Sequence, residues 1–233
     1  MNTPKIDLFS DTKTRPSKPM LQAMMAAETG DEQAGEDPTT IELQERVAQL
    51  LGKEEALFVP SGTMCNQISI AIQCQAGDEI IADKTAHIIN FEAGAAAVIA
   101  RAMIRPLAGQ RGQFSLDQAR EAIRAGFRHA PSSKMIAVEQ TANLGGGSIW
   151  PIHTLKSLHE LSIEHNLVMH MDGARLMNAV IASGVSAAEY AATDAKFKIS
   201  DVDDRSGAIS IACPSPINKG PITFAPPKVF IIL

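Results

Sequence analysis

The residues best able to do chemistry sit where short apolar runs stop. After ALFVP comes Ser61-Gly62-Thr63, which opens a helical pattern. A small-residue turn at a helix start leaves backbone N–H groups free and adds the positive end of the helix dipole, a suitable seat for a phosphate. Gly62 lets a ligand approach the backbone, and the Thr63 hydroxyl adds a donor. The spacing is not GxxxxGK[ST], so a nucleoside-triphosphate loop is unsupported, and an ordinary Ser N-cap accounts for the same residues. After LVMHM comes Asp172-Gly173-Ala174-Arg175. An acid at a strand end can pair with a cationic ring nitrogen, and Arg175 can bind a phenolate or carboxylate oxygen in the same cleft. The plainer alternative is an Asp N-cap beside an exposed Arg. His170 and Asp172 share a strand face, which also begins a metal site, but no third ligand has a clear place in the sequence. After EIIA, His87 offers an imidazole that can stack on a flat ring or move a proton. His129 precedes the strand MIAVEQ, which runs into Thr141-Ala142-Asn143 and three glycines. His153, His159 and His165 fall on one helix and are expected to form a solvated face.

A phosphate cradle, a carboxylate for a ring nitrogen, a neighbouring Arg and a stacking His together describe a pyridoxal-phosphate (PLP) pocket. PLP needs a carboxylate to keep its pyridinium protonated, which preserves the electron sink.

The elements that must position these groups follow from hydrophobic periodicity. Pro19 to Glu28 is a short helix with Met20, Met24 and Ala27 on one face. Thr39-x-x-Glu42 forms a capping box for a helix burying Leu43, Val47, Leu50 and Leu51, closed by Gly52. ALFVP and EIIA are strands around a helix through Ile68, Ala71 and Ile72. Ser115-x-x-Gln118 caps a helix through Ala119 and Ile123. Met135–Gln140 and Leu167–Asp172 are strands, separated by a helix from His153 to His165 with Leu155, Leu158 and Leu161. A last helix runs through Leu176 and Val180. Short apolar strands alternating with amphipathic helices predict an α/β fold with a mostly parallel, doubly covered sheet, whose ligands sit beyond the strand C-termini.

Composition sets the outer limits. The chain has 233 residues, 45% of them hydrophobic, which excludes a disordered chain. A net charge of −5 implies no nucleic-acid or membrane-surface patch. The run Ala93–Ala100 is too short to span a bilayer, and no signal peptide is visible. Three cysteines, an odd number without paired spacing, predict a reducing compartment, most simply the cytoplasm.

Five segments then carry a resemblance. IDLFSDTKTRPSKPMLQAMMAAETGDEQAGEDPT, GKEEALFVPSGTMCNQ, AHIINFEAGAAAV, EQTANLGGG and MHMDGARLMNAV occur in this order between Ile6 and Asp194. They resemble the low-specificity L-threonine aldolases, a family of the beta-eliminating-lyase type. The resemblance implies the large domain of a fold-type-I, aspartate-aminotransferase-like PLP enzyme, assembled as a dimer or tetramer. It implies cleavage of a β-hydroxy amino acid, L-threonine or L-allo-threonine, to glycine and acetaldehyde. By position, Gly62 and Thr63 would bind the cofactor phosphate, His87 would stack on the ring, Asp172 would pair with the ring nitrogen, and Arg175 would contact the ring oxygen or neighbouring polar groups. Ser10 would help hold the substrate carboxylate. His129 matches a histidine near the substrate hydroxyl, so His87 and His129 are the candidate bases. Gln140 stands where Asn is usual and Ala95 where Gly is usual.

The resemblance stops near Asp194. The family's Schiff-base lysine, in a Ser/Thr-Lys-Gly context, would fall around Asp201 to Asp203, where the text is KISDVDDRSGA. Lys196 and Lys198 come too early, and Lys219-Gly220 comes too late. Five of the 13 prolines lie between Pro214 and Pro227. Residues 1–194 are thus expected to be a partial PLP-binding large domain. Residues 195–233 are expected to be a foreign tail, as a frameshift or misjoined end would produce, without the family's second, smaller domain. A catalytically inactive remnant of the fold, or a different PLP lyase, is the competing expectation.

Overall fold

The computed structural model describes residues 6, 9–124, 126–193 and 209–210, the last pair by backbone alone. It divides into two units, Met1–Ile41 and Glu42–Leu233.

In the first unit, Ser10 starts a 3-10 turn over Asp11–Lys13, its Oγ accepting from the Thr12 amide at 3.2 Å. Helix α1 spans Lys18–Ala26, capped by Ser17 with Pro19 in its first turn. The predicted apolar face of this helix is not covered: Met20 and Met24 are exposed. Helix α2, Pro38–Leu51, starts in this unit and continues into the second from Glu42; it begins two residues earlier than the Thr39 capping box requires. Asp37 Oδ1 accepts from the Thr40 amide at 2.7 Å and acts as the cap, while the Thr39 hydroxyl donates to the Glu28 carbonyl. The reason is visible in the sequence, since Asp-Pro supplies both a strong cap and a proline at the first helical position.

The second unit is an α/β layer structure around a parallel sheet of order β2-β1-β3-β4-β5. Its strands are β1 Asp78–Asp83, β2 Met103–Leu107, β3 Ser132–Glu139, β4 Val168–Asp172 and the two-residue β5, Ile209–Ser210. Helices α3 (Gly62–Gln73), α4 (His87–Asn90), α5 (Leu116–Ala122), α6 (Ile152–Glu164), α7 (Leu176–Ser183) and α8 (Ala187–Ala191) lie along the chain between them. The Ser115–Gln118 capping box of α5 is complete in both directions. From β1 the chain moves to β2 on one side and then returns to β3 on the other. The crevice between the ends of β1 and β3 is therefore a topological switch point.

ALFVP is not a strand. The Phe58 amide donates to the Gln44 side chain at 2.8 Å, and Val59 packs with Cys65 of α3. Instead MIRPL forms β2, at the sheet edge, where Pro106 removes no hydrogen bond from a central ladder.

Strand alternation then sorts the core. The register aligns Ile80 with Met135, Met135 with Val168, Ala82 with Ala137, and Ala137 with His170. Of these, Ile80, Ala82, Met135, Ala137 and Val168 pack with Ile70 of α3 and Ala96 and Ala100 of a short π-helical turn. On the other face, Ile81, Ile136, Val138, Met169 and Met171 meet Leu155, Leu158 and Leu161 of α6, all buried. Burying each such leucine contributes about 1.5–3 kcal/mol. The same alternation carries Glu139, His170 and Asp172 onto the α3 face, at the C-terminal end of the sheet.

Candidate active site

Helix α3 meets that polar row one turn after its start. Ser61 caps it, Oγ accepting from the Met64 amide at 3.1 Å, and the Cys65 amide returns to the Ser61 carbonyl. The Gly62 and Thr63 amides belong to the first turn, where no intrahelical acceptor is available. Asn66 follows, about 5 Å along the axis. Its Nδ2 donates to Asp172 Oδ2 at 2.9 Å and to Glu92 Oε1 at 2.7 Å, while its Oδ1 faces His170 Nε2 at 3.0 Å. Asn66 and His170 are each 1% exposed, Glu92 2% and Asp172 8%, so these groups have little water to turn to.

His87 enters from the loop after β1 as the first residue of α4. Its Nδ1 lies 2.8 Å from Glu92 Oε1, its amide donates to Glu139 Oε2 at 3.2 Å, and its ring tilts against Phe91. The hydrogen bond to Glu92 raises the His87 pKa above its ordinary value; burial opposes this, and the nearby Asp172 charge adds to it. Burial, and then the Asp172 charge, push the Glu139 carboxyl up, against the amides of Asn143 and His87 that favour its ionised form. Glu92 is fixed at its second oxygen, Oε2, which accepts from the Gln67 side-chain Nε2. Asp172 Oδ1 accepts from the Ala174 amide at 3.1 Å.

Arg175 begins α7, and its amide donates to the Gln140 carbonyl at 3.2 Å, which holds it beside the end of β3. Ser10 belongs to the first unit, where it caps its own turn. His129 is not brought to the cluster. It is exposed, packs edge-on against Phe127, and lies in the turn that enters β3. Nearby, Arg124 holds Glu79 at the start of β1 at 3.0 Å. The eight residues of β3 put about 23 Å between its two ends. A base must reach the proton it takes, and of the two alternative candidate bases it is His87 that lies at the cluster. His159 also departs from the expected solvated face: it is half-buried, and burial lowers its pKa.

His87, Glu92 and Asp172 hold ligand-type atoms within 4.8 Å of one another. Asn66 donates to both carboxylates from within this group, satisfying oxygens that a metal would need. Sequence reasoning reached His87 and Asp172, and placed His170 on the Asp172 face as a candidate metal ligand, but missed Asn66, Glu92 and Glu139 as members of one cluster. Only the strand parity of Glu139, His170 and Asp172 signalled it.

Comparison with known proteins identifies the family. The family model described as "Beta-eliminating lyase" matches residues 7–200. The low specificity L-threonine aldolase of Escherichia coli (strain K12) is 43% identical over 180 residues, covering 77% of this chain and 53% of that protein. The probable low-specificity L-threonine aldolase 2 of Arabidopsis thaliana is 39% identical over 184 residues, covering 77% and 52%. Among solved structures, the threonine aldolase of Leishmania major superposes with a TM-score of 0.62 at 21% identity, covering 75% of this chain and 51% of that one. That likeness supports the fold. The chain spans about half the length of the relatives it matches. With a family match across most of its residues, the chain belongs to the beta-eliminating lyase family.

Proposed function

We propose that this chain carries the PLP-binding half of a carbon–carbon lyase acting on β-hydroxy-α-amino acids, with L-threonine or L-allo-threonine cleaved to glycine and acetaldehyde. The observation that carries the reading is the buried charge imbalance at the strand ends. Glu92, Asp172 and Glu139 gather around His87, with His170 behind Asn66 as the second imidazole, and the three carboxyl groups are buried. A protonated pyridine nitrogen would supply a compensating positive charge and a further donor beside those that Asn66 and Ala174 already give Asp172, and the first turn of α3 suits a phosphate. The residues present therefore fit the cofactor.

Asp172 would hold the ring nitrogen, His87 would cover the ring, Gly62 and Thr63 would bind the phosphate, and Arg175 would contact the ring oxygen. When bound, PLP supplies the electron sink for the Cα–Cβ bonding pair. The protein's part is a proton at the substrate hydroxyl. With Nδ1 committed to Glu92, the Nε2 of neutral His87 is the free basic atom, and it would take that proton as the aldehyde leaves. Ser10 is proposed to hold the substrate carboxylate, and a reducing, cytoplasmic setting suits the cysteine usage.

Titration with PLP, followed by absorbance and then by aldehyde release from L-threonine, tests the reading. We expect saturable binding that weakens at least tenfold in Asp172→Asn, with aldehyde and glycine formed in equal amounts. Binding with keto-acid or ammonia release instead would assign another PLP reaction. A second reading, a fold that binds PLP without turnover, is supported by the lack of a Ser/Thr-Lys-Gly sequence near residues 201–203. Lys196, Lys198, Lys219 and the proline-rich tail lie outside the described residues. Borohydride reduction and mass spectrometry of the PLP-treated protein separate the two, since only a covalent tether leaves a modified lysine.

A further inference from the structure

Asn66 occupies an unusual place in the buried cluster. A primary amide has two donors on nitrogen and an acceptor on oxygen. Two carboxylate oxygens, from Asp172 and Glu92, face the nitrogen side, and neither can donate when ionised. His170 Nε2 faces the oxygen side and must carry the hydrogen there. The amide therefore has one orientation that satisfies every partner, and His170 fixes it.

Glu92 Oε1 is shared. It accepts from Asn66 at 2.7 Å and from His87 Nδ1 at 2.8 Å. Two donors on one oxygen divide its charge between them. We propose that Asn66, held by His170, is a positioning residue that aims Asp172 at the ring nitrogen and, by sharing Glu92 Oε1, limits the strength of the His87–Glu92 pair. A base bound too tightly to its carboxylate partner stays protonated at neutral pH and is useless for taking a proton. The geometry thus sets His87 between an attractive carboxylate and an amide competing for it. The part concerning the ring nitrogen rests on the PLP reading; the part concerning His87 does not.

The remaining charged or titratable neighbours of this pair are Asp172 and Glu139, which face His87, and His170 beyond Asn66. Changing Asn66 leaves Glu139 untouched and takes a donor from Asp172 as well as from Glu92, and both of those carboxylates raise the His87 pKa. This fixes the sign of the outcome. Asn66→Leu removes the competing donor, so Glu92 serves His87 alone and the His87 pKa rises further. A merely loosened pocket would let His87 drift down toward its solvent value of about 6.5.

The test is a histidine-labelled NMR titration of the full chain without cofactor, paired with PLP titration. We expect the His87 pKa in Asn66→Leu to rise by half a unit or more. His170→Leu should shift it the same way by less, and His170→Gln, which keeps a donor for Asn66, should stay near wild type. PLP affinity should weaken about tenfold in Asn66→Leu. An unchanged or lowered His87 pKa in Asn66→Leu and His170→Leu would overturn the proposal. If Asn66→Leu fails to fold, the His170 pair decides by the same sign. If His87 shifts upward as expected but the wild-type chain binds no PLP, the PLP reading fails and the role of Asn66 toward His87 stands.

Discussion

His87 gains positive charge on folding against the cost of its own burial, because Glu92 waits at 2.8 Å. Its folded pKa is raised, so the pair's contribution to stability is complete below the ordinary histidine value near 6.5 and disappears as pH rises through the raised value. Urea midpoints of the cofactor-free protein should therefore fall between pH 6 and the raised value. In Glu92→Gln, which keeps the shape but removes the charge, the His87 signal should titrate at a lower pH than in wild type and this slope should flatten. A slope equal in both proteins would show that another group carries it. The residue types at this scale were legible in part. Asp172 and His87 stood out because they follow short apolar strands. Asn66 sat unremarked inside SGTMCNQ, and Glu92 inside FEAG, because nothing in their local spacing distinguishes a buried network member from a surface amide or acid.

Helices and strands were more legible than their ends. The three leucines of α6 recur at helical spacing and are all buried, and the capping box of α5 is fully formed. Leu158→Ala should cost about 2–5 kcal/mol by thermal or urea unfolding, through the cavity it leaves under the sheet. A cost below about 1 kcal/mol would mean that the α6 layer collapses to fill the space. Gly109 is a second element-scale control. A Cβ there would run into the Gln113 carbonyl and the Asp83 carboxylate, which itself accepts from the Gly109 amide at 2.9 Å. Gly109→Ala should destabilise the turn after β2 while leaving the His87 titration unchanged, because Glu92 and Asn66 are untouched. Periodicity failed at ALFVP and MIRPL for a physical reason. Both are short apolar runs, and a run's own residues do not say whether the backbone will find a strand or, as at Phe58, a side-chain amide.

At the scale of the molecule, the packing seals the two described thiols away, Cys65 against Val59 and Cys74 in the cluster with Ile80 and Met135. Cys65 is fully buried, and burial together with the nearby Asp78 charge pushes the Cys74 thiol up to about 12. Neither should react with a disulfide reagent in the folded protein at pH 8, and both should do so in urea, with labelled peptides read by mass spectrometry. Prompt labelling of Cys65 in the native protein would contradict its packing against Val59, and of Cys74 its packing against Ile80 and Met135. Among the described residues, no helix is long and apolar enough to cross a membrane.

From its residues alone, this sequence settled the alternation of strands and helices, the parallel sheet, and the ends where chemistry belongs. Backbone geometry explains why: periods of two and 3.6 are written locally, and small or acidic residues at strand ends interrupt them. The site itself was decided by tertiary structure. Asn66 meets Asp172 across 106 residues and His170 across 104. His87 and Glu92, five residues apart, meet locally across the single turn of α4, and it is Asn66 and Asp172 that come to them from a distance. His87 and His129 looked equivalent as isolated histidines, yet parallel pairing sends them to opposite ends of the sheet. Sheet order and crossover direction arise from burying both faces at once, and that is a property of the whole assembly of elements rather than of any one stretch.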